Sequence, residues 1–163
     1  MSSGPIVIGY DGSEHAREAI HRAASLLRPT HTEVVNVWRS IQRETGAALI
    51  GTSRGMASEG AHRLDAERAA QSTERAGEGV ELAHSLGLVA SPVSLSSTTT
   101  IWRAICQQAI ERDAAAVVVG SHGRSGLGEA LLGSVSRGVL HHADRPVLVV
   151  HTRPGRGGRE ERG

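Results

Sequence analysis

The sequence predicts an α/β fold: a five-stranded parallel sheet with helices on both faces. Three observations carry this. Five short apolar runs are spread along the chain, helical patterns lie between them, and the most apolar run opens into a glycine-rich loop. Continuous apolar runs suit strands covered on both faces. Alternating strands and helices give parallel neighbours joined by right-handed crossovers.

Pro5 to Tyr10 is the first strand, and Asp11-Gly12-Ser13 a tight turn after it. Ala16, Ala19, Ile20, Ala23, Ala24 and Leu27 then recur at helical spacing. Ser13 can cap that helix, Glu14 suits its first turn, and Pro29 stops it. Glu33 to Trp38 is the second strand. Residues 39–59 show no clear period, which reads as a long functional loop. A helix is expected from about Ala61 to Leu86, ended by Gly87. Gly77 and Gly79 within it each cost about 1 kcal/mol relative to Ala.

Val93 to Ser96 alternates like a half-exposed strand, and Pro92 at its start suits a sheet edge. Thr100 can cap a helix with Ile101, Ala104, Ile105 and Ala109 facing inward. Ala115 to Val119 is the fourth strand and reads as central. Ser134 caps a short helix bearing Val135, Val139 and Leu140, and Pro146 to Val150 is the fifth strand. Residues 1–152 are expected to form one domain. Residues 153–163, rich in Arg and Gly, have nothing to bury and read as a disordered tail.

A chain of 163 residues, 39% hydrophobic, can bury a sizeable core. A net charge of +1 gives no broad case for a nucleic-acid or membrane partner. The single cysteine, Cys106, excludes an intrachain disulfide and a cysteine metal cluster, and reads as a packed small residue. The N-terminus lacks the pattern of a signal peptide, and no apolar stretch approaches the ~20 residues of a membrane span. A soluble, cytoplasmic protein is the expectation. Lysine is absent, so any chemistry that needs one is excluded.

The loop Gly120-Ser121-His122-Gly123-Arg124-Ser125-Gly126 follows a strand and leads toward a helix that starts near Gly133-Ser134. Glycines let the backbone approach a phosphate, and the first N–H groups of a helix lack intrahelical partners. Ser134 and Ser136 can add hydroxyl donors. The spacing is Gly120, two residues, Gly123, nine residues, Gly133-Ser134. Without its terminal lysine this is not a P-loop. Each residue also has a plainer reading: glycines can serve turn geometry, Asp11 can cap the helix after it, and His122 and Arg124 can meet phosphate or face solvent. The nine histidines have no chelating spacing, so no metal site is expected.

These residues resemble the ATP-binding members of the universal stress protein family, over about residues 5–151. Gly120, Gly123, Gly133 and Ser134 match that family's glycine spacing. Asp11 after the first strand, the Gly12-Ser13 helix start and the closing strand Arg145 to Val150 agree with it. The resemblance implies a sheet in the order 3-2-1-4-5 and ATP, with Mg²⁺, as the ligand. It implies adenine near Asp11 and Val37, ribose near Gly120 and Gly123, and phosphates at Gly123, Gly133, Ser134, Val135 and Ser136. It further implies a homodimer through the last strand, Val147 to Val150; an exposed apolar edge gives that a physical reason.

The leading functional expectation is thus a nucleotide-binding regulatory module, acting through a conformational or dimer change read by an unknown protein partner. The alternative is a slow ATP hydrolase or adenylyl-transfer enzyme. Against it stand the missing lysine, the lack of an evident base beside Ser134 and the absence of a His-x-Gly-His signature, so no catalytic residue is assigned. A phospho-receiver domain would need an acidic pair after the first strand and a lysine after the fifth; only Asp11 is present. A ligand-free interaction protein would have a broken glycine motif, and here it is intact.

Overall fold

The computed structural model describes residues 4–27, 31–41, 54–123 and 132–152. Arg124, most of the 39–59 segment and the 153–163 tail lie outside them. In order, the elements are β1 (Ile6–Gly9), α1 (Glu14–Leu26), β2 (Thr32–Arg39), α2 (Arg54–Ser85), β3 (Ala90–Ser97), α3 (Ile101–Glu111), β4 (Ala116–Gly120), α4 (Ser134–His142) and β5 (Val147–Val150).

The five strands form one parallel sheet in the order β3-β2-β1-β4-β5. β1 is central: Ile6 pairs with Thr32 of β2 on one side and with Ala116 of β4 on the other. Successive side chains of a strand face opposite ways, so each strand feeds two cores. Ile6, Ile8 and Val118 meet α1 and α2 through Ala16, Ala19, Ile20, Ala23, Val80 and Ala83. Val7, Val35, Val117 and Val119 meet α3 and α4 through Ile105, Cys106, Ala109 and Val139. With no phenylalanine, small aliphatic side chains fill both layers.

Local signals were mostly honoured. Ser13 caps α1, its Oγ accepting the Ala16 N–H at 3.2 Å. Pro92 stands on the edge strand β3, which starts at Ala90, three residues before the expected Val93. Three expectations need correction. Helix α2 begins at Arg54, not near Ala61, because Gly55 and Gly60 mask a helical stretch in the sequence. Thr100 stands at the α3 N-cap, yet its hydroxyl makes no capping bond. Gly133, not Ser134, is the N-cap of α4; Ser134 is its first helical residue.

Buried Glu33 ties β2 to α3. Its carboxylate accepts from Gln108 Nε2 at 2.7 Å and from Arg112 Nε at 2.6 Å. No described helix is long and apolar enough to cross a membrane.

Candidate nucleotide-binding cleft

A cleft of about 370 Å³ opens at the carboxyl ends of β1, β2 and β4. Ligands of open parallel sheets bind there, where the strand order reverses. Here the reversal falls between β1's two neighbours, β2 and β4.

Of the nine residues singled out in the sequence, eight line this cleft: Asp11, Val37, Gly120, Gly123, Gly133, Ser134, Val135 and Ser136. Arg124 lies outside the described residues. No arginine is among the described lining residues, and the chain has no lysine. The groups there that can meet an anion are therefore backbone N–H groups, hydroxyls and His122.

The turn after β1 is built by Asp11, whose Oδ1 accepts the Ser13 N–H at 3.0 Å. Gly12 takes φ +81° in that turn, and the Arg75 guanidinium of α2 lies where a Cβ would stand, 2.5 Å from it. The positive φ selects glycine, and a Cβ there would push the flexible Arg75 side chain aside. Asp11 thus serves the turn rather than capping the helix, whose N-cap is Ser13, and it still lines the cleft.

The motif glycines are close contacts within the protein. A Cβ on Gly120 would lie 2.7 Å from the backbone carbonyl carbon of His15. One on Gly123 would lie 2.8 Å from Asp11 Oδ2. The loop after β4 is therefore packed directly against the loop after β1. Asp11 and Gly123 come from opposite ends of the sequence and share one wall.

Ser121 is the hub of this region and fully buried. Its N–H donates to Val150 of β5 at 2.7 Å. Its carbonyl accepts from the Gly133 N–H at 2.8 Å and from Ser136 Oγ at 2.8 Å. Two sequence expectations change here. The Gly133 N–H is already used inside the protein, and the buried Ser136 hydroxyl points its proton inward. What remains is the start of α4. The first helical bond runs from Arg137 N–H to Gly133 O at 3.0 Å. Among the described residues, no backbone carbonyl accepts the N–H groups of Ser134, Val135 or Ser136. They stand at the positive end of the helix dipole, a ready anion site.

The opposite wall is apolar: Val35 and Val37 of β2, and Ile101 and Ile105 of α3. In the sequence these two isoleucines read only as inward helix positions. That they line a cleft depends on how α3 crosses the sheet. Tyr10 and Asn36 were also missed. Asn36 Nδ2 donates to the Tyr10 carbonyl at 2.7 Å, locking β2 to the end of β1. Tyr10 is buried, and desolvation pushes its phenol above the ordinary value, more than the nearby Arg17 guanidinium lowers it. His122, readable as a solvent-facing loop residue, is buried at 9% exposure.

A cleft lined by apolar side chains and by open N–H groups fits a ligand with an apolar end and an anionic end. Known proteins agree in kind. The universal stress protein family model matches residues 3–151. A universal stress protein of Synechocystis is 52% identical over 48 residues, 29% of this chain and 44% of that protein. The chain thus spans less than half the length of that curated relative. The structure of a universal stress protein from Archaeoglobus fulgidus is 26% identical with a TM-score of 0.65, covering 90% of this chain and 98% of that one. The Archaeoglobus fulgidus protein in complex with dAMP aligns at 25% identity and a TM-score of 0.58, covering 92% and 99%.

Proposed function

The chain belongs to the universal stress protein family, and we propose that it is an ATP-binding regulatory module of that family. The observation that carries this reading is the pairing, in one cleft, of the α4 N-terminus with the apolar wall of Val35, Val37, Ile101 and Ile105. The dAMP complex of the Archaeoglobus relative supports an adenine nucleotide. Adenine then lies against Val37 near Asp11, ribose over Gly120 and Gly123, and phosphates at Ser134, Val135 and Ser136. Gly133 shapes the approach without donating. Mg²⁺ accompanies the polyphosphate as its counterion; among the described residues no group of three side chains is arranged to hold a metal by itself.

Binding is favoured over cleavage. Asp11 is the only carboxylate among the described lining residues, and it already holds the Ser13 N–H. The edge of β5, Val147 to Val150, is the surface for a homodimer. Ser121, bonded to both Val150 and the α4 cap, links that edge to the phosphate end of the cleft.

Two measurements test this. Protein purified without added nucleotide is denatured and the released small molecules identified; an adenine nucleotide is expected, or, from empty protein, calorimetric binding of Mg·ATP. Neither being seen refutes the reading. The phosphate end is tested by Ser134→Pro. Gly133 has ψ 161°, which suits the residue before a proline, and proline is well tolerated at the first helical position. The variant keeps α4 and deletes one N–H. Affinity for Mg·ATP should fall about tenfold, the worth of one charge-assisted hydrogen bond, and affinity for adenosine should not. Ser134→Ala controls for the hydroxyl. Unchanged Mg·ATP affinity in a folded Ser134→Pro protein would move the phosphates elsewhere.

A further inference from the structure

Resting on that reading, we infer that the imidazoles of His15 and His122 make nucleotide binding proton-coupled: the pair takes up a proton when a phosphorylated ligand enters the cleft. His15 stands in the first turn of α1 and His122 in the loop after β4, yet their rings lie 5.2 Å apart, tilted by 59°. His122 lines the cleft, is more than nine-tenths buried, and its Nε2 has no hydrogen-bond partner among the described residues. An unpartnered buried ring nitrogen is costly unless some state of the protein uses it.

Two of the other three ring nitrogens face hydroxyls. Ser121 Oγ lies 3.1 Å from His122 Nδ1, and Thr152 Oγ1 lies 2.8 Å from His15 Nε2. A hydroxyl accepts as readily as it donates, so neither partner fixes a protonation state. Two charged imidazoles this close repel each other. Asp11 approaches from the turn after β1, its Oδ2 against Gly123. Glu14, Glu18, Arg22 and His151 line the neighbouring groove beside Thr152. The first turn of α4 carries Arg137, whose exposed guanidinium donates to the Leu132 carbonyl at 3.3 Å, beside Ser134 and Ser136. The Arg75 guanidinium of α2 lies against Gly12 beside Asp11, and Arg17 and Arg75 both act on Tyr10, while the cleft lining itself holds no arginine among the described residues. The imidazole pair is the titratable group placed to neutralise an entering phosphate.

A proton taken up on binding requires affinity to be highest where the pair is already protonated and to fall as pH rises through the titration of the complex. Isothermal calorimetry with Mg·ATP at pH 8.0, in buffers of different ionisation enthalpy, reads the uptake directly, since the phosphates are then fully ionised. We expect a net uptake of a fraction of a proton per site, the direction required when an imidazole is brought beside an anion. Adenosine, which lacks the charge, should give none, and neither should Mg·ATP with the His15→Gln/His122→Asn double variant.

Normal Mg·ATP binding without uptake in the wild-type protein, or unchanged uptake in the folded double variant, overturns the inference and leaves the cleft reading standing. Absence of binding by both ligands overturns both. Should the double variant not fold, histidine ¹⁵N spectra of the wild-type protein decide. The ring nitrogens of a contacting pair should shift toward protonated positions with Mg·ATP and not with adenosine; no shift refutes the coupling.

Discussion

Two glycines of α2, one helical step apart from being neighbours on the same face, should respond oppositely to one substitution. Gly77 has open space where a Cβ would stand. Gly79 does not: a Cβ there would lie 2.7 Å from Val34 Cγ1 and 3.0 Å from Tyr10 Cδ1. In Gly77→Ala only the backbone term acts, and the helix gains about 1 kcal/mol. Gly79→Ala has the same gain, but the new methyl must displace Val34 or Tyr10, both fully packed in the sheet. Overpacking of this kind costs about 1–3 kcal/mol. With a cost in the middle of that range, Gly79→Ala is destabilised by about 1 kcal/mol and Gly77→Ala stabilised by about as much. The gap of about 2 kcal/mol is roughly thirtyfold in the folding equilibrium. It corresponds to about 4–8 °C in Tm for a domain of this size. Urea unfolding followed by circular dichroism reads the difference, with the denaturant slope checked for constancy. Because Tyr10 lines the cleft, Gly79→Ala should also weaken Mg·ATP binding while Gly77→Ala leaves it unchanged. If both variants move in the same direction by similar amounts, the close approach of α2 to the sheet at Gly79 is wrong.

Tyr10 is the only tyrosine, so absorbance at 295 nm reports it alone. Burial raises its folded-state pKa, so its contribution to stability is complete below the ordinary value near 10 and is lost as pH rises through the folded value. The native midpoint should therefore lie above that in urea; a lower one refutes the assignment. Cys106 is buried, and desolvation, with Asp144 adding to it, holds its thiol above the ordinary value. At pH 8 a thiol reagent should label it far more slowly in the native protein than in urea, and equal rates would contradict its burial. Asp11→Asn keeps an oxygen to accept the Ser13 N–H, and Asp11→Ala does not. The alanine variant should lose about 1 kcal/mol of stability and the asparagine variant less than half of that, while equal losses in thermal melts would show that the turn does not depend on this bond. Ile105→Ala, which opens both the core and the cleft wall, should cost about 2–5 kcal/mol by the same measurement.

The fold was readable because its signals are local. Ile6-Val7-Ile8 announces a strand covered on both faces, and Ser13 with Glu14 announces a helix start whatever surrounds them. The start of α2 was not readable, since glycines at 55 and 60 erase the pattern that packing restores. The glycine spacing picked out residues that line the cleft. It did not reveal that Gly120 and Gly123 are also needed to seat His15 and Asp11, because those contacts join residues more than 100 positions apart. The roles of Ser134 and Ser136 turned on one residue of helix register: moving the cap to Gly133 leaves the Ser136 hydroxyl facing the Ser121 carbonyl. The His15–His122 contact had no local signal at all.

The register that pairs Ile6 with Ala116 also governs when this protein can be completed during synthesis. The two strands are separated by about 110 residues of chain, which takes roughly 5–20 s to make at ordinary translation rates. Until β4 emerges, one long edge of β1 is bare, and its Ile6-Val7-Ile8 run is an open template for another chain. The cleft itself is later still, because α4 must follow. A nascent chain of this sequence therefore spends its first seconds as an unsealed half-sheet, with its cleft not yet formed.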